Sequence, residues 1–251
     1  MSGHSKWKTN KGKKGIADVK RGATFTKIIK EITIIAREGG NPDTNPRLRA
    51  IMQKAKEANM PSDNVKMAIK RGTGEIPGVV YETAMYEGYG PGGVAMMIEV
   101  LTDNKNRTSA EIRNIMSKKG GSFAGTGAVS WMFTMKGYFL IEKSQAKEDE
   151  LMNTVLDSGA EDMKSDEKNY EVFCAPQNFE KVKQAIEAKG IKVQDAEVTM
   201  VPSSTIKVTG SDAKQLLSLI DALEGHDDVQ QVYANFDIPD EIMEKIAAEN
   251  E

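Results

Sequence analysis

The chain has 251 residues, enough for two or three ordinary domains, and 39% of them are hydrophobic, which suits globular cores. No apolar run approaches the roughly 18 residues of a membrane helix, one cysteine excludes an internal disulfide, and two histidines leave no cluster of soft metal ligands. We therefore predict a cytoplasmic protein with no cofactor, no metal site and no membrane partner.

The net charge of −3 conceals a strong asymmetry along the chain. Residues 1–71 contain 17 Lys and Arg against 6 Asp and Glu, a net charge of +11, whereas residues 72–251 carry a net charge of −14. A cationic front and an anionic remainder would orient the molecule on a polyanion, because one part approaches phosphate while the other repels it.

The first 21 residues form a basic arm with a single acid, Asp18, and few apolar side chains, too few to bury a core. Lysine and arginine displace counterions from phosphates, and the indole of Trp7 can stack on an unpaired base. Basic tails are also common as solvated surface without a function. The predicted nucleic-acid-binding residues of this arm are Lys6, Trp7, Lys8, Lys11, Lys13, Lys14, Lys20 and Arg21.

Three helices follow, each with apolar residues at helical spacing. The first runs from Thr24 to Glu38, the second opens with the cap pair Asn45-Pro46 and ends near Ala58, and the third spans Ser62 to Arg71. Their outward faces extend the predicted phosphate track with Lys27, Lys30, Lys66, Lys70 and Arg71.

A glycine-rich linker then marks a change to strand periodicity. Strands at Val79–Glu87 and Val94–Thr102 flank a Gly-rich turn and predict a hairpin, a helix follows up to Lys118, and VSWMF at 129–133 predicts a third strand. At the start of that helix, Lys105 and Arg107 could bind phosphate. Their neighbours Asp103, Asn104 and Asn106 are explained by the residue preferences of a turn alone.

From Gly137 the order strand, helix, strand, strand, helix, strand predicts a ferredoxin-like sandwich, which closes as a domain by itself. The strand, helix and strand after Pro202 form only half a domain, so we expect them to complete the sheet begun at residue 79. The predicted fold class is therefore α+β multidomain: a three-helix domain (1–76, with the arm), a discontinuous α/β domain (77–135 and 203–239), an inserted ferredoxin-like domain (136–202) and an acidic tail (240–251).

Patterns typical of enzymes are missing from the sequence. There is no nucleophile elbow, phosphate-binding Walker loop, Cys-His pair or metal-ligand spacing. We interpret Cys174, inside a strand, as a buried structural thiol, and His226, in a Gly-His-Asp-Asp turn, as a solvated loop residue. We therefore predict a protein that is not an enzyme and has no catalytic residues and no small-molecule substrate.

Several motifs, in one order along nearly the whole chain, resemble the YebC family: SGHSKW, KGKKG, TDNKNRT, YEGYGPGG and GAVSWMF. The resemblance implies an N-terminal helical domain followed by two α/β domains. It also implies a cytosolic bacterial protein that acts on nucleic acid without catalysing a reaction.

The resemblance implies two activities, and the sequence leaves both open. Family members are described as DNA-binding transcriptional regulators, and others resemble ribosome-associated factors that relieve stalled translation, for example on proline runs. No helix-turn-helix signature is evident, and a Gly-Lys arm suits folded RNA at least as well as a major groove. A third possibility is a protein-interaction scaffold whose basic arm is incidental. We expect the main function to be DNA-binding regulation of transcription.

Overall fold

The structure is a computed structural model that describes residues 19–239, 241–243 and 246. These residues form two compact units. The first contains 19–130, 208–234 and the described residues beyond 237, and the second contains 131–207 and 235–237. None of the helices in this part of the chain is long and apolar enough to cross a membrane.

Seven α-helices and ten strands lie between residues 19 and 239. In chain order they are α1 (Val19–Ile35), α2 (Pro46–Glu57), α3 (Ser62–Gly72), β1 (Glu82–Gly90), β2 (Val94–Thr102), α4 (Lys105–Lys118), β3 (Ser122–Ala124), β4 (Phe133–Glu142), α5 (Glu148–Asp157), β5 (Ala160–Ser165), β6 (Asn169–Cys174), α6 (Phe179–Ala188), β7 (Asp195–Pro202), β8 (Ile206–Lys207), α7 (Gly210–Glu224), β9 (Val229–Ala234) and β10 (Phe236–Asp237).

Helices α1, α2 and α3 bury their apolar faces in one shared core. Its buried side chains include Ile28 and Ile32 from α1, Leu48 from α2, and Val65 and Ala68 from α3. The predicted cap of α2 is confirmed, because the side chain of Asn45 accepts a hydrogen bond from the backbone N–H of Leu48 at 3.0 Å. This bond satisfies one of the donors that a helix start leaves open.

The sheet of the same unit has the strand order β3-β1-β2-β9. Strands β1 and β2 pair antiparallel from Glu82 opposite Thr102 to Gly90 opposite Val94, so the predicted hairpin is confirmed with a later start. Strand β9 pairs with β2 although 126 residues separate Thr102 from Val229. The sheet is therefore built from two distant parts of the sequence.

The predicted strand at 129–133 is wrong. Residues Ser130–Met132 form a 3-10 turn, and β4 starts only at Phe133. The buried carboxylate of Glu87 accepts hydrogen bonds from the backbone N–H groups of Gly127, Val129 and Ser130 at 2.7–2.9 Å. Because these bonds occupy the N–H groups that a strand would place in a ladder, the segment is held as a loop.

The second unit has the strand order β5-β6-β4-β7, with every pair antiparallel. Helices α5 and α6 cover one face, and their Leu151, Val155, Val182 and Ile186 share a core with Phe139 of β4. This order is that of a ferredoxin-like sandwich. The cysteine at 174 is buried in β6, as expected of a structural thiol, and burial raises its pKa.

The fold class is therefore confirmed: an N-terminal helical region precedes two α/β parts, and the ferredoxin-like part interrupts the sequence of the other sheet. One detail is wrong, because β8 does not join that sheet and pairs instead in parallel with β10. In the predicted tail helix, 241–243 and 246 are helical, and its other residues lie outside the described part. The predicted domain boundaries stay predictions.

Candidate nucleic-acid interface

The arm residues of the predicted interface fall outside the structural description. Lys6, Trp7, Lys8, Lys11, Lys13 and Lys14 precede the first described residue, and only the helical backbone is described at Lys20 and Arg21. Their assignment to nucleic acid therefore stays a prediction from the sequence.

The two predicted cations of α1 are engaged with the protein itself. The ammonium of Lys27 donates to the backbone carbonyl of Glu224 at 2.6 Å. Lys30 is only 6% exposed, and its ammonium lies 2.5 Å from a carboxylate oxygen of Asp228. The expectation that Lys30 lies on the outward face is therefore wrong, because α1 turns it toward the loop before β9.

Asp228 is the centre of what we call the buried charge cluster, which consists of the buried Lys30, Thr102, Thr108 and Asp228 with the exposed Arg107 at its edge. Its second carboxylate oxygen accepts hydrogen bonds from Arg107 at 2.8 Å and from the hydroxyl of Thr108 at 2.6 Å. The hydroxyl of Thr108 lies 2.7 Å from that of Thr102. Burial alone would raise the pKa of the Asp228 carboxyl, but the bonds from Lys30, Thr108 and Arg107 outweigh it and hold the pKa well below its usual range.

The two predicted phosphate ligands at the start of α4, Lys105 and Arg107, are also paired with carboxylates. Arg107 contacts Asp103 at 2.8 Å in addition to Asp228. Lys105 lies 2.5 Å from Glu82, and that hydrogen bond raises the pKa of the lysine ammonium. Both side chains lie in the first turn of the helix α4, whose N-cap is Asn104. These ion pairs connect the first turn of α4 to β1 through Glu82 and to the loop before β9 through Asp228.

A polar cleft of about 690 Å³ opens beside the buried charge cluster. In it, Glu111, His226 and Asp228 place ligand-type atoms within 4.8 Å of one another. The Nδ1 atom of His226 accepts a hydrogen bond from the backbone N–H of Asp228 at 3.1 Å, so the ring proton belongs on Nε2, which faces Glu111 at 3.0 Å. An Nε2 that carries a proton cannot bind a cation, and Asp228 is already occupied by Lys30. The trio therefore suits a hydrogen-bonded cluster better than a metal ion.

The same contacts correct the interpretation of His226 as a solvated loop residue. Its side chain is only 15% exposed and bridges α4 to the turn before β9. The sequence signal was the Gly-His-Asp-Asp turn, but the partner Glu111 lies 115 residues away and could not be identified from that turn alone.

The outward face of α3 keeps its predicted cations at the surface. Lys66, Lys70 and Arg71 are exposed, and Lys66 lies 3.6 Å from Asp63 in an exposed pair. Among the described residues, neither Lys70 nor Arg71 forms an ion pair. Met67, which lies between Lys66 and Lys70 in the sequence, is 45% exposed, and the sequence analysis did not single it out. Its position opposite the inward Val65, Ala68 and Ile69 was the signal that could have identified it.

Comparison with known proteins gives matches along the whole chain. Residues 5–75 match the model of the TACO1/YebC protein N-terminal domain, and residues 81–236 match that of the TACO1/YebC second and third domain. A "Probable transcriptional regulatory protein" of Syntrophus aciditrophicus is 55% identical over 250 residues, covering 99% of this chain and all of the relative. A protein of the same description from Dictyoglomus thermophilum is 54% identical over 249 residues, covering 98% of this chain and all of that relative.

A solved structure gives the same result for the fold. The crystal structure of a conserved hypothetical protein from Aquifex aeolicus is 42% identical, with a TM-score of 0.75 over 90% of this chain and 93% of that one. The sequence matches and the shared fold agree with the motifs along the chain. The chain belongs to the TACO1/YebC family.

Proposed function

We propose that the protein is a non-enzymatic regulator of transcription that binds nucleic acid through its basic N-terminal third. One observation carries the proposal: relatives with 53–55% identity over their full length are described as "Probable transcriptional regulatory protein". At that coverage, the N-terminal region and both α/β parts of this chain lie within the matched length.

The charge distribution supports this proposal. A net charge of +11 in residues 1–71 against −14 in the remainder favours approach to phosphate by the arm and the three helices. The structure reduces the number of cations that can serve. Lys66, Lys70 and Arg71 are exposed on α3, where only Lys66 has a carboxylate neighbour among the described residues, at 3.6 Å, whereas Lys30, Lys105 and Arg107 contact carboxylates at 2.5–2.8 Å. We therefore assign binding to the arm together with the face of α3.

The test is crosslinking in living cells with recovery of both DNA and RNA. The full chain is compared with a variant carrying Ala at Lys8, Lys11, Lys13 and Lys14, and with a matched control carrying Ala at Lys181, Lys183, Lys189 and Lys192, four lysines in and just after α6. We expect the full chain and the control to recover discrete promoter fragments, and the arm variant to lose them. Ribosomal RNA lost in the same way would contradict the proposal in favour of a translation factor, and recovery of neither would favour a scaffold.

A second measurement tests the electrostatic basis. If about six cations contact duplex phosphates, the logarithm of the affinity should fall against the logarithm of salt concentration with a slope of roughly −5. The slope is measured by fluorescence anisotropy on a labelled duplex between 50 and 200 mM salt, conditions chosen around the physiological range. A slope near zero would contradict binding through the basic residues.

A further inference from the structure

The connection between α2 and α3 is four residues long. Helix α2 ends at Glu57 and α3 begins at Ser62. Among the described residues, Asn59 is the single residue other than glycine with a positive φ, 57°. Asparagine is one of the few residues besides glycine that adopt this left-handed conformation readily, so this position reverses the chain at small cost.

The hydrogen bonds around Asn59 define a tight helix end. The backbone N–H of Met60 donates to the carbonyl of Ala55 at 2.9 Å, and that of Asn59 donates to Lys56 at 3.0 Å. This pair of bonds is a Schellman motif, in which an apolar residue after the left-handed position packs back on the helix. Met60 is accordingly buried, as is Ala55. The turn is therefore fixed by backbone bonds and by the core of the helical region.

The core also fixes which face of α3 points outward. Val65 and Ala68 are buried in the core that α1 and α2 share. The opposite face presents Asp63, Lys66, Met67 and Lys70, with Arg71 beside them, and all five are exposed. A helix with its side chains is about 10–12 Å across, which fits the major groove of B-DNA, about 12 Å wide, and the eleven residues of α3 give it a length of about 16 Å along that groove.

The composition of this face complements duplex DNA. Three cations surround an exposed methionine, whose apolar side chain would otherwise remain in water. Lysine and arginine hydrogen-bond phosphates and the acceptors of guanine, and an apolar side chain can pack on the methyl group of thymine. In the first turn of α3, Asp63 and Asn64 add polar groups of the kinds that read cytosine and adenine.

From these observations we propose that α2, the turn 58–61 and α3 form a helix-turn-helix, and that α3 enters the major groove of duplex DNA with Lys66, Met67 and Lys70 at the base edges. This inference rests on the proposed transcriptional function and names the surface that reads sequence. The basic arm supplies affinity that is independent of sequence, whereas α3 supplies the preference for one site over another.

The test is selection from a random duplex library with the full chain, followed by fluorescence anisotropy on the selected duplex. The variant carries Lys66→Ala, Met67→Ala and Lys70→Ala. Its matched control carries Lys181→Ala, Leu156→Ala and Lys189→Ala, which removes two exposed lysines, one in α6 and one just after it, and an exposed apolar side chain of α5. Both variants are expected to fold, because all six positions are exposed, and urea unfolding checks this.

We expect the α3 variant to lose roughly tenfold or more in affinity for the selected duplex and to retain its weaker binding to unrelated duplex, while the control binds as the full chain does. If the α3 variant selects the same site with the same affinity, the helix-turn-helix assignment is overturned and the transcriptional function stands. If the full chain selects no duplex at all, the proposed function itself fails. If the α3 variant keeps its affinity for the duplex and loses affinity for a structured RNA, the assignment is overturned in favour of RNA binding.

Discussion

The buried charge cluster and the outward face of α3 use the same residue types for opposite purposes. Lys30 and Lys70 were both predicted as phosphate ligands on helical surfaces. Lys30 is 6% exposed and contacts Asp228, whereas Lys70 is exposed. A buried cation must keep its partner because water cannot replace it, while an exposed cation is available to a ligand and contributes little to folding. Residue type alone therefore does not separate the two settings, whereas burial together with a carboxylate partner does for these two lysines.

Removing Asp228 should give the largest effect on stability. The substitution Asp228→Ala leaves Lys30 buried without its carboxylate and frees Arg107 and Thr108 from their shared acceptor. We expect the free energy of unfolding to fall by about 3–5 kcal/mol, measured by urea denaturation. The control Asp63→Ala removes an exposed partner of Lys66 and should change the stability by less than about 1 kcal/mol. Equal effects of the two substitutions would contradict the distinction between the two regions.

Acid should weaken the same cluster selectively. Because the pKa of the Asp228 carboxyl is lower in the folded chain than in the unfolded chain, its contribution to stability is fully present above the unfolded value of about 4. The contribution is lost as the pH falls from there toward the folded-state pKa. Unfolding free energies measured from pH 7 down to pH 2 should therefore fall more steeply for the natural chain than for Asp228→Asn. Parallel curves would show that this carboxylate is not held by its partners.

The turn before α3 should show a smaller effect. Asn59→Ala places a residue that disfavours positive φ at 57°, and we expect a loss of about 1–2 kcal/mol in unfolding free energy. Asn59→Gly, which accepts that conformation, should leave the stability nearly unchanged. The two variants are compared by urea denaturation, and a loss of equal size for both would mean that the asparagine side chain, not the backbone conformation, fixes the turn.

Local sequence patterns predicted most of the elements. The predictions failed where contacts between residues distant in sequence determine the structure. Helical spacing located α1, α2 and α3, and Asn45-Pro46 identified the start of α2. The partner of Lys30 lies 198 residues away, so no pattern within α1 could show that this lysine is buried. The strand at 129–133 failed for the same reason, because Glu87, from β1, removes its N–H groups from any ladder. The four-residue turn at Asn59 carries no glycine, and its left-handed residue was not identified from the sequence although asparagine is among the residues that adopt this conformation.

Removing two exposed lysines of α3 should have the smallest effect on stability and a large effect on binding. Lys66→Ala with Lys70→Ala removes two exposed cations and should change the unfolding free energy by no more than about 0.5 kcal/mol, since neither side chain belongs to the helical core. The affinity for the selected duplex should nevertheless fall, because the proposal places both lysines at base edges in the major groove. Urea denaturation and anisotropy on the same preparations give both quantities. A stability loss as large as that of Asp228→Ala would mean that Lys66 and Lys70 stabilise the fold. It would contradict the distinction between the buried charge cluster and the outward face of α3.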